Sequence, residues 1–247
     1  MPRLMVVSGL LLALMFGCSS KPTPQAESSA ANTLPQGSQA VELDPADFVG
    51  AINHTYWPMK PGSTWVYREI ADDGTAQRVE ITVMSETKNI LGIKATVVHD
   101  VVTEEDAVIE DTLDWYAQDR VGNLWYLGED TKEYENGKVV STAGSWEAGQ
   151  NGAQAGIILP ARPRVGMTYR QEYLKGQAED AASVLSLDEL AEVPHGSFSD
   201  VLLTKDYTTL EPNLLEYKFY AKGIGPVLVL AVSGGSGREE LVSFKAG

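Results

Sequence analysis

Apolar and polar residues alternate along most of the chain beyond residue 54. Val79, Ile81 and Val83 point one way while Arg78, Glu80 and Thr82 point the other. Residues 93–103 continue the pattern, with Ile93, Ala95, Val97, His99 and Val101 sharing a face. A period of two with one polar face predicts half-buried antiparallel strands. Further strands are predicted at 64–70, 106–117, 123–128, 132–135, 138–141, 167–174, 198–209, 214–221, 227–232 and 239–244. In the 167–174 segment, Met167, Tyr169, Gln171 and Tyr173 share a face. Turn chemistry separates these runs: Asp72-Asp73-Gly74, Asn136-Gly137, Glu211-Pro212-Asn213, Gly223-Ile224-Gly225 and Gly234-Gly235-Ser236-Gly237. Tight turns between alternating strands predict an all-β fold, a curved antiparallel meander that curls into a half-barrel or open barrel to protect its core.

The stretch 111–135, DTLDWYAQDRVGNLWYLGEDTKEYE, carries the densest information. Its two Trp-Tyr pairs, Trp115-Tyr116 and Trp125-Tyr126, flank a turn at 119–123, which predicts an aromatic hairpin at the centre of the sheet. Two segments depart from the pattern. Residues 143–164 are glycine-rich, contain Pro160 and Pro163, and have no period, so a long covering loop or a passive surface insertion is expected there. Trp146 and Ile157-Ile158-Leu159 within it predict that part of the loop packs back on the sheet. Residues 180–193 are rich in Ala, Leu and Glu, which favours helix, yet Val184-Leu185-Ser186-Leu187 also fits a strand.

The N-terminal portion reads differently. Arg3 precedes an apolar run over 4–16 that is too short for a membrane span and suits the core of a signal peptide. It ends in Leu14-Met15-Phe16-Gly17-Cys18, which resembles the bacterial lipobox, where cleavage leaves a lipidated cysteine at the new N-terminus. Cys18 is the chain's one cysteine, as expected of an exported protein without disulfides. Ser19 and Ser20 follow, with no Asp beside the cysteine. The resemblance to proteobacterial lipoproteins therefore implies sorting to the outer membrane. The expected layout is a signal peptide at 1–17, a lipidated Cys18 with a flexible Ser/Pro/Gln-rich tether through 53, and a single β domain at 54–247. A leash of this composition spans roughly 30 Å, by about 5–6 Å times the square root of its length.

Formal charge is −15, from 34 acidic and 19 basic residues. No basic patch is visible, which argues against a nucleic-acid partner. The acids are expected on a solvated surface. Candidate chemistry is sparse. The histidines His54, His99 and His195 are scattered, and His99 fits a hydrogen-bonded core position better than a catalytic base. With one cysteine and no His cluster no zinc set is expected, and no phosphate loop or dinucleotide fingerprint is present, so no metal or cofactor is implied. No catalytic set emerges. The acids around the aromatic hairpin, Asp111, Asp114 and Glu129, are the residues a carboxylate-dependent hydrolase of envelope glycan or lipid would use, though neighbours on a strand point to opposite faces.

Three pieces carry a wider resemblance: Trp57-Pro58-Met59-Lys60-Pro61-Gly62-Ser63-Thr64-Trp65-Val66-Tyr67, Val193-Pro194-His195-Gly196-Ser197-Phe198, and Tyr220-Ala221-Lys222-Gly223-Ile224-Gly225-Pro226-Val227. In this order and spacing, over about 56–245, the chain resembles a broad group of secreted bacterial proteins that includes many lipoproteins. That group is similar in architecture to the lipoprotein-carrier (LolA-like) half-barrel. The resemblance implies a curved sheet with a concave apolar face and brings no catalytic residues. The expected function is a non-enzymatic, membrane-anchored envelope lipoprotein that binds an apolar ligand or a partner protein on that sheet. Trp115, Tyr116, Trp125, Tyr126, Trp146 and Tyr169 are the candidate ligand-binding residues. A carboxylate hydrolase and a purely structural envelope lipoprotein are the alternatives.

Overall fold

The computed structural model describes residues 34–247. The expected signal segment, Cys18 and the first part of the tether lie outside the described residues. The described chain is β throughout apart from one 3-10 turn at Pro45–Asp47, which Asp44 caps by accepting from the Ala46 amide at 2.8 Å.

Four short or medium strands open the domain: β1 (Phe48–Val49), β2 (Ile52–Asn53), β3 (Pro58–Met59) and β4 (Thr64–Ile70). The long meander follows as β5 (Ala76–Ile90), β6 (Ile93–Glu104), β7 (Ala107–Asp119) and β8 (Leu124–Glu135). Next come β9 (Lys138–Ser141), β10 (Trp146–Glu147), β11 (Gln154–Leu159), β12 (Thr168–Arg170) and β13 (Glu172–Tyr173). A second meander closes the chain: β14 (Asp180–Val193), β15 (Gly196–Thr208), β16 (Leu215–Ala221), β17 (Gly225–Ser233) and β18 (Arg238–Lys245).

All but β2 and β3 belong to one antiparallel sheet in the order β12-β14-β15-β16-β17-β18-β4-β5-β6-β7-β8-β11-β13, with β1 on β7 and both β9 and β10 on β8. The expected antiparallel meander is therefore present. Its two halves are joined by β18 pairing with β4, so the last strand lies beside the first long one. The aromatic hairpin β7–β8 stands towards one end of this order rather than at its centre, because the C-terminal meander adds its strands on the far side of β4.

The two ends of the sheet meet through one run of chain. Arg170 pairs with Ala181 on β14, and Glu172, two residues on, pairs with Ala155 on β11. The expected continuous strand over 167–174 is thus broken at Gln171, where it changes partners. Gly156 lets the ends approach: a Cβ there would sit 2.2 Å from the Gln171 carbonyl oxygen, so only glycine fits. The curved sheet becomes a nearly closed barrel.

Two expectations change in the structure, and the open choice between helix and strand at 180–193 is decided. The segment 143–164 is not structureless, since β10 and β11 within it both pair with β8. Trp146, Ile157 and Leu159 are buried, and the glycines between them make the turns that bring both short strands to one edge. Residues 180–193 form a strand, because pairing with β12 on one side and β15 on the other outweighs the helical propensity of Ala and Leu. The second part of the expected tether, 34–53, packs on the domain. Pro35 accepts from the Arg170 amide at 2.8 Å, the Arg170 guanidinium reaches the carbonyls of Gly37 and Gln39, and β1 pairs with β7.

Turn chemistry holds where Asn136 and Gly137 stand at φ 51° and 72°, the left-handed pair a two-residue hairpin needs. The turn at 119–123 is built around Asp119. Its carboxylate accepts from the Gly122 and Asn123 amides, the Asn123 side chain and the Trp125 indole, at 2.7–2.9 Å.

Candidate functional site

Residues opposite each other on neighbouring strands share a face, so register traces the barrel's inner surface from its buried centre. Trp65, Tyr67 and Leu241 are each 1% exposed or less. Trp65 pairs with Ile81, Ile81 with Asp100, Asp100 with Thr112, and Thr112 with Thr131. Along the hairpin, Asp114 lies opposite Glu129, and Tyr116 opposite Tyr126. In the other direction Glu69 faces Glu239, Glu239 faces Val229, and Val229 faces Lys218. Lys218 lies opposite Thr204, and Asp206, two residues on, lies opposite both Glu216 and Ala182.

This inner face has an aromatic tier and an acidic tier. The Tyr116 and Tyr126 rings stack at 4.9 Å, Trp146 meets Tyr126 edge-on at 5.3 Å, and Trp57 leans on Tyr116 and Tyr220 at 5.6 and 6.2 Å. The Tyr126 hydroxyl donates to Asp114 Oδ1 at 2.6 Å, and the Trp146 indole donates to Glu172 Oε2 at 2.7 Å. These two hydrogen bonds stitch the tiers together.

In the acidic tier, burial and then the neighbouring acids together push the Asp114 and Glu129 carboxyls up to about 7. Burial and then the facing Glu69 push Glu239 up to about 8. Asp100 is raised well above the ordinary range, first by burial and then by Glu239, Glu110, Glu69 and Glu129. Lys218 is the ammonium set among acids on this surface. Lys218 Nζ lies 3.3 Å from Asp206 Oδ2 and 3.8 Å from Glu216 Oε2. Burial works against the Lys218 charge, but Asp206 and Glu216 more than offset it and hold it charged. Asp206 also accepts from the side chains of Gln171 and Thr204, at 3.0 and 2.6 Å.

The interior is not filled solid at this end. Lys218 and Glu216 keep 31% and 36% of their side-chain surface accessible although both point inward. At the mouth a cleft of about 360 Å³ runs between Glu69, Gln77, Glu110, Glu133 and Tyr134. Buried polar atoms without a hydrogen-bond partner include Asp100 Oδ1 and the Tyr169 hydroxyl on this face, together with Trp57 Nε1. Among the described residues, no three His, Cys, Asp or Glu side chains converge as a metal ion would need.

The structure divides the sequence candidates. Tyr116, Tyr126, Trp146 and Tyr169 stand on the inner face. Trp115 and Trp125 stand on the outer face and do not join them. Lys88 Nζ sits 3.2 Å above the Trp115 ring, and Trp125 packs edge-on against Phe48 while donating to Asp119. Asp111 is also outward, with His99 Nε2 at 3.2 Å, so Asp114 and Glu129 face each other without it. His99 shares its expected strand face with the buried Ile93, Ala95 and Val97, but it stands where that face opens, with its side chain 33% exposed rather than in the core. His54 is the buried histidine, 3.0 Å from the Pro160 carbonyl, and burial lowers its pKa. The inner face is mixed, where the family resemblance implied an apolar trough. Sequence reasoning missed Asp100, Glu239 and Lys218. A signal was present in the alternation Glu216, Lys218, Tyr220, which places three functional groups on one face of a strand.

No family model and no curated protein matches the chain. Two solved structures are similar in fold. One is a protein assigned as exported, with a YmcC-like fold, from Bacteroides fragilis: 14% identical, TM-score 0.42, covering 78% of this chain and 100% of its own. The other is a protein assigned as a lipoprotein, from Parabacteroides distasonis: 11% identical, TM-score 0.41, covering 78% of this chain and 99% of its own. Likeness at this level carries nothing about ligand or activity.

Proposed function

We propose that this chain is a lipid-anchored protein of the bacterial envelope, tied through Cys18 to the outer membrane and facing the periplasm, and that it holds a ligand inside its barrel without catalysis. The signal segment and lipobox-like sequence support the address. The binding reading rests on one observation: polar side chains point into a partly open interior and leave buried atoms without partners. A chain built only for stability would satisfy them, since each buried unpaired polar group costs about 1–3 kcal/mol.

The test is native mass spectrometry of the full chain carrying Cys18→Ser, purified from the envelope of the expressing bacterium. A reproducible extra mass released on denaturation supports the reading. A bare polypeptide that also gains no mass from envelope extract would overturn it and shift the function to a protein partner or a structural role. One observation favours a second reading. Asp114 and Glu129 oppose each other on adjacent strands with their carboxyls held near 7, as an acid/base pair requires. Glycan or lipid hydrolysis lost in both Asp114→Asn and Glu129→Gln would establish it; no turnover by the wild-type chain would dismiss it.

A further inference from the structure

We propose that residues 34–43 are a releasable strap over the barrel's side seam, clamped by Arg170, and that its release opens the interior between β12 and β11. This inference stands apart from the binding reading above, since it concerns how the interior is reached, whatever the interior holds. The seam is a weak join. β12 pairs with β14 over three residues and β13 pairs with β11 over two, while β12 and β13 themselves stand at opposite ends of the strand order. The backbone crosses from one to the other at Gln171, whose amide donates to the Asp180 carbonyl at 2.8 Å on the β14 side.

The Arg170 side chain bridges this join. Its Nη2 donates to the Ala155 carbonyl on β11 at 2.6 Å, and its Nη1 donates to the strap carbonyls of Gly37 and Gln39 at 2.7 and 2.6 Å. Arg170 is 2% exposed, its acceptors are all carbonyls, and its buried Nε has no hydrogen-bond partner. Burial works against its charge. The arrangement couples two events. A strap that leaves takes two of the three acceptors with it, and a buried guanidinium left with one carbonyl is worse placed than one in water. Arg170 then swings out and gives up Ala155, which uncouples β11 from β12.

The strap is otherwise held lightly. Residues 36–40 are all exposed, Pro35 is buried, and Leu34, Val41 and Leu43 are partly buried against the core. The Pro35 carbonyl accepts from the Arg170 amide at 2.8 Å, the Gln36 side chain donates to the Thr168 carbonyl, and the Val41 amide donates to the Gln154 side chain at 3.2 Å. Thr168 and Arg170 belong to β12 and Gln154 to β11, so the strap spans both sides of the seam. Water can replace such exposed polar bonds at small net cost, and segments with few buried apolar contacts open below the cost of global unfolding. Behind the seam lie Tyr169 and Ala182, paired across β12 and β14 and fully buried on the inner face.

The rival account is that the strap is a fixed part of the fold and comes away only when the whole domain unfolds. Residue-resolved amide exchange on the full chain with Cys18→Ser separates the two. The Arg170 and Val41 amides, which hold the strap, should exchange at least tenfold faster than those of β5 and β6 and respond little to low denaturant. The side chains of Gln36 and Thr168 meet, so a disulfide joining Gln36→Cys to Thr168→Cys should abolish that difference, and reduction should restore it. Arg170→Lys keeps the charge but cannot span three carbonyls, and should speed exchange at Val41 tenfold or more. The wild-type and cross-linked measurements do not depend on that variant folding. Ala182→Cys reports on the interior: a maleimide should modify it at the rate of strap opening rather than the slower rate of global unfolding. Strap amides that exchange only together with β5 and β6, a cross-link that leaves their exchange unchanged, or Ala182→Cys labelled only at the global rate would each overturn the proposal. None of these failures alters the mass retained in native mass spectrometry, so the binding reading is judged separately.

Discussion

Trp115 and Tyr116 are neighbours in the chain and occupy different media. The outer face of the β7–β8 hairpin carries Trp115 under Lys88, and Lys88 is itself paired to Glu147 at 2.7 Å. Charges on outward positions find opposite partners: Arg78 with Glu80, Lys132 with Asp130, and both Arg68 and Arg238 with Glu240. The inner face carries Tyr116, Tyr126 and Asp114, and its acids face one another with Lys218 as their counter-ion. The difference teaches that the net charge of −15 is not all a solvated coat. Part of it is turned inward, where carboxyls are desolvated and their protonation becomes a property of the fold. The outer face is built for stability and the inner face gives some of it up. The following variants test that division.

The largest effect is expected from Trp115→Ala. Truncating a ring that is 5% exposed removes the cover over Gly128 and the cation–π contact with Lys88, and should cost about 3–5 kcal/mol. Denaturant unfolding checks the loss. The comparison demands in addition that any folded fraction bind the interior ligand as the wild type does. Weakened binding at full folding would mean the outer ring reaches the site.

Lys218→Met should come next, at about 2–3 kcal/mol near pH 8, because it strands Asp206 among acids without its ammonium. The loss should shrink when Asp206→Asn is added, since no charge is then stranded. Equal cost with and without Asp206→Asn would show that packing, not charge, is what Lys218 supplies.

These two residues also show how far the sequence reached. Strand period and turn residues were enough for the all-β meander, and Thr64–Ile70 was legible in full. The hairpin partners of β7 were legible because Asp119 and Gly122 mark the turn. What period two cannot say is which of two faces is inward when both carry apolar residues, so all six aromatics were grouped although Trp115 and Trp125 look outward. Nor does local pattern reveal long-range register. The facing of Glu69 and Glu239 depends on β18 returning beside β4, a contact between residues 170 positions apart. The strands within 143–164 were hidden for a related reason: β10 and β11 are too short to show a period and exist because β8 offers an open edge.

Glu239→Gln should act in the opposite direction to the first two. The unfolded carboxyl titrates near 4.5 and the folded one near 8, so the folded chain holds more protons between those values. Stability from this group is full below about pH 4.5 and is lost as pH rises through about 8. Glutamine is neutral throughout and escapes that loss. The variant should melt about 2–4 °C above the wild type at pH 8, the shift expected from roughly 1 kcal/mol in a domain of this size. The gap should close towards pH 4.5. A variant that melts lower at pH 8 would show that Lys218 stabilises the charged form of Glu239 by more than burial and Glu69 oppose it.

The smallest change isolates one bond on the outer face. Trp125→Phe keeps an aromatic ring against Phe48 and deletes the indole donor to Asp119 Oδ2. Asp119 retains its bonds from the Gly122 and Asn123 amides and the Asn123 side chain, so its carboxylate is not stranded. The cost should be about 0.5–1 kcal/mol, the low end for one hydrogen bond, because Asp119 keeps its three other donors. Amide exchange should quicken at Gly122 and Asn123, since the turn they close is what the indole braces. Binding inside the barrel should be untouched, because Trp125 shares its face with Ala117 and not with Tyr126. A change in ligand affinity from this substitution, with the turn amides still protected, would mean that the hairpin transmits strain between its faces and that the two are not independent.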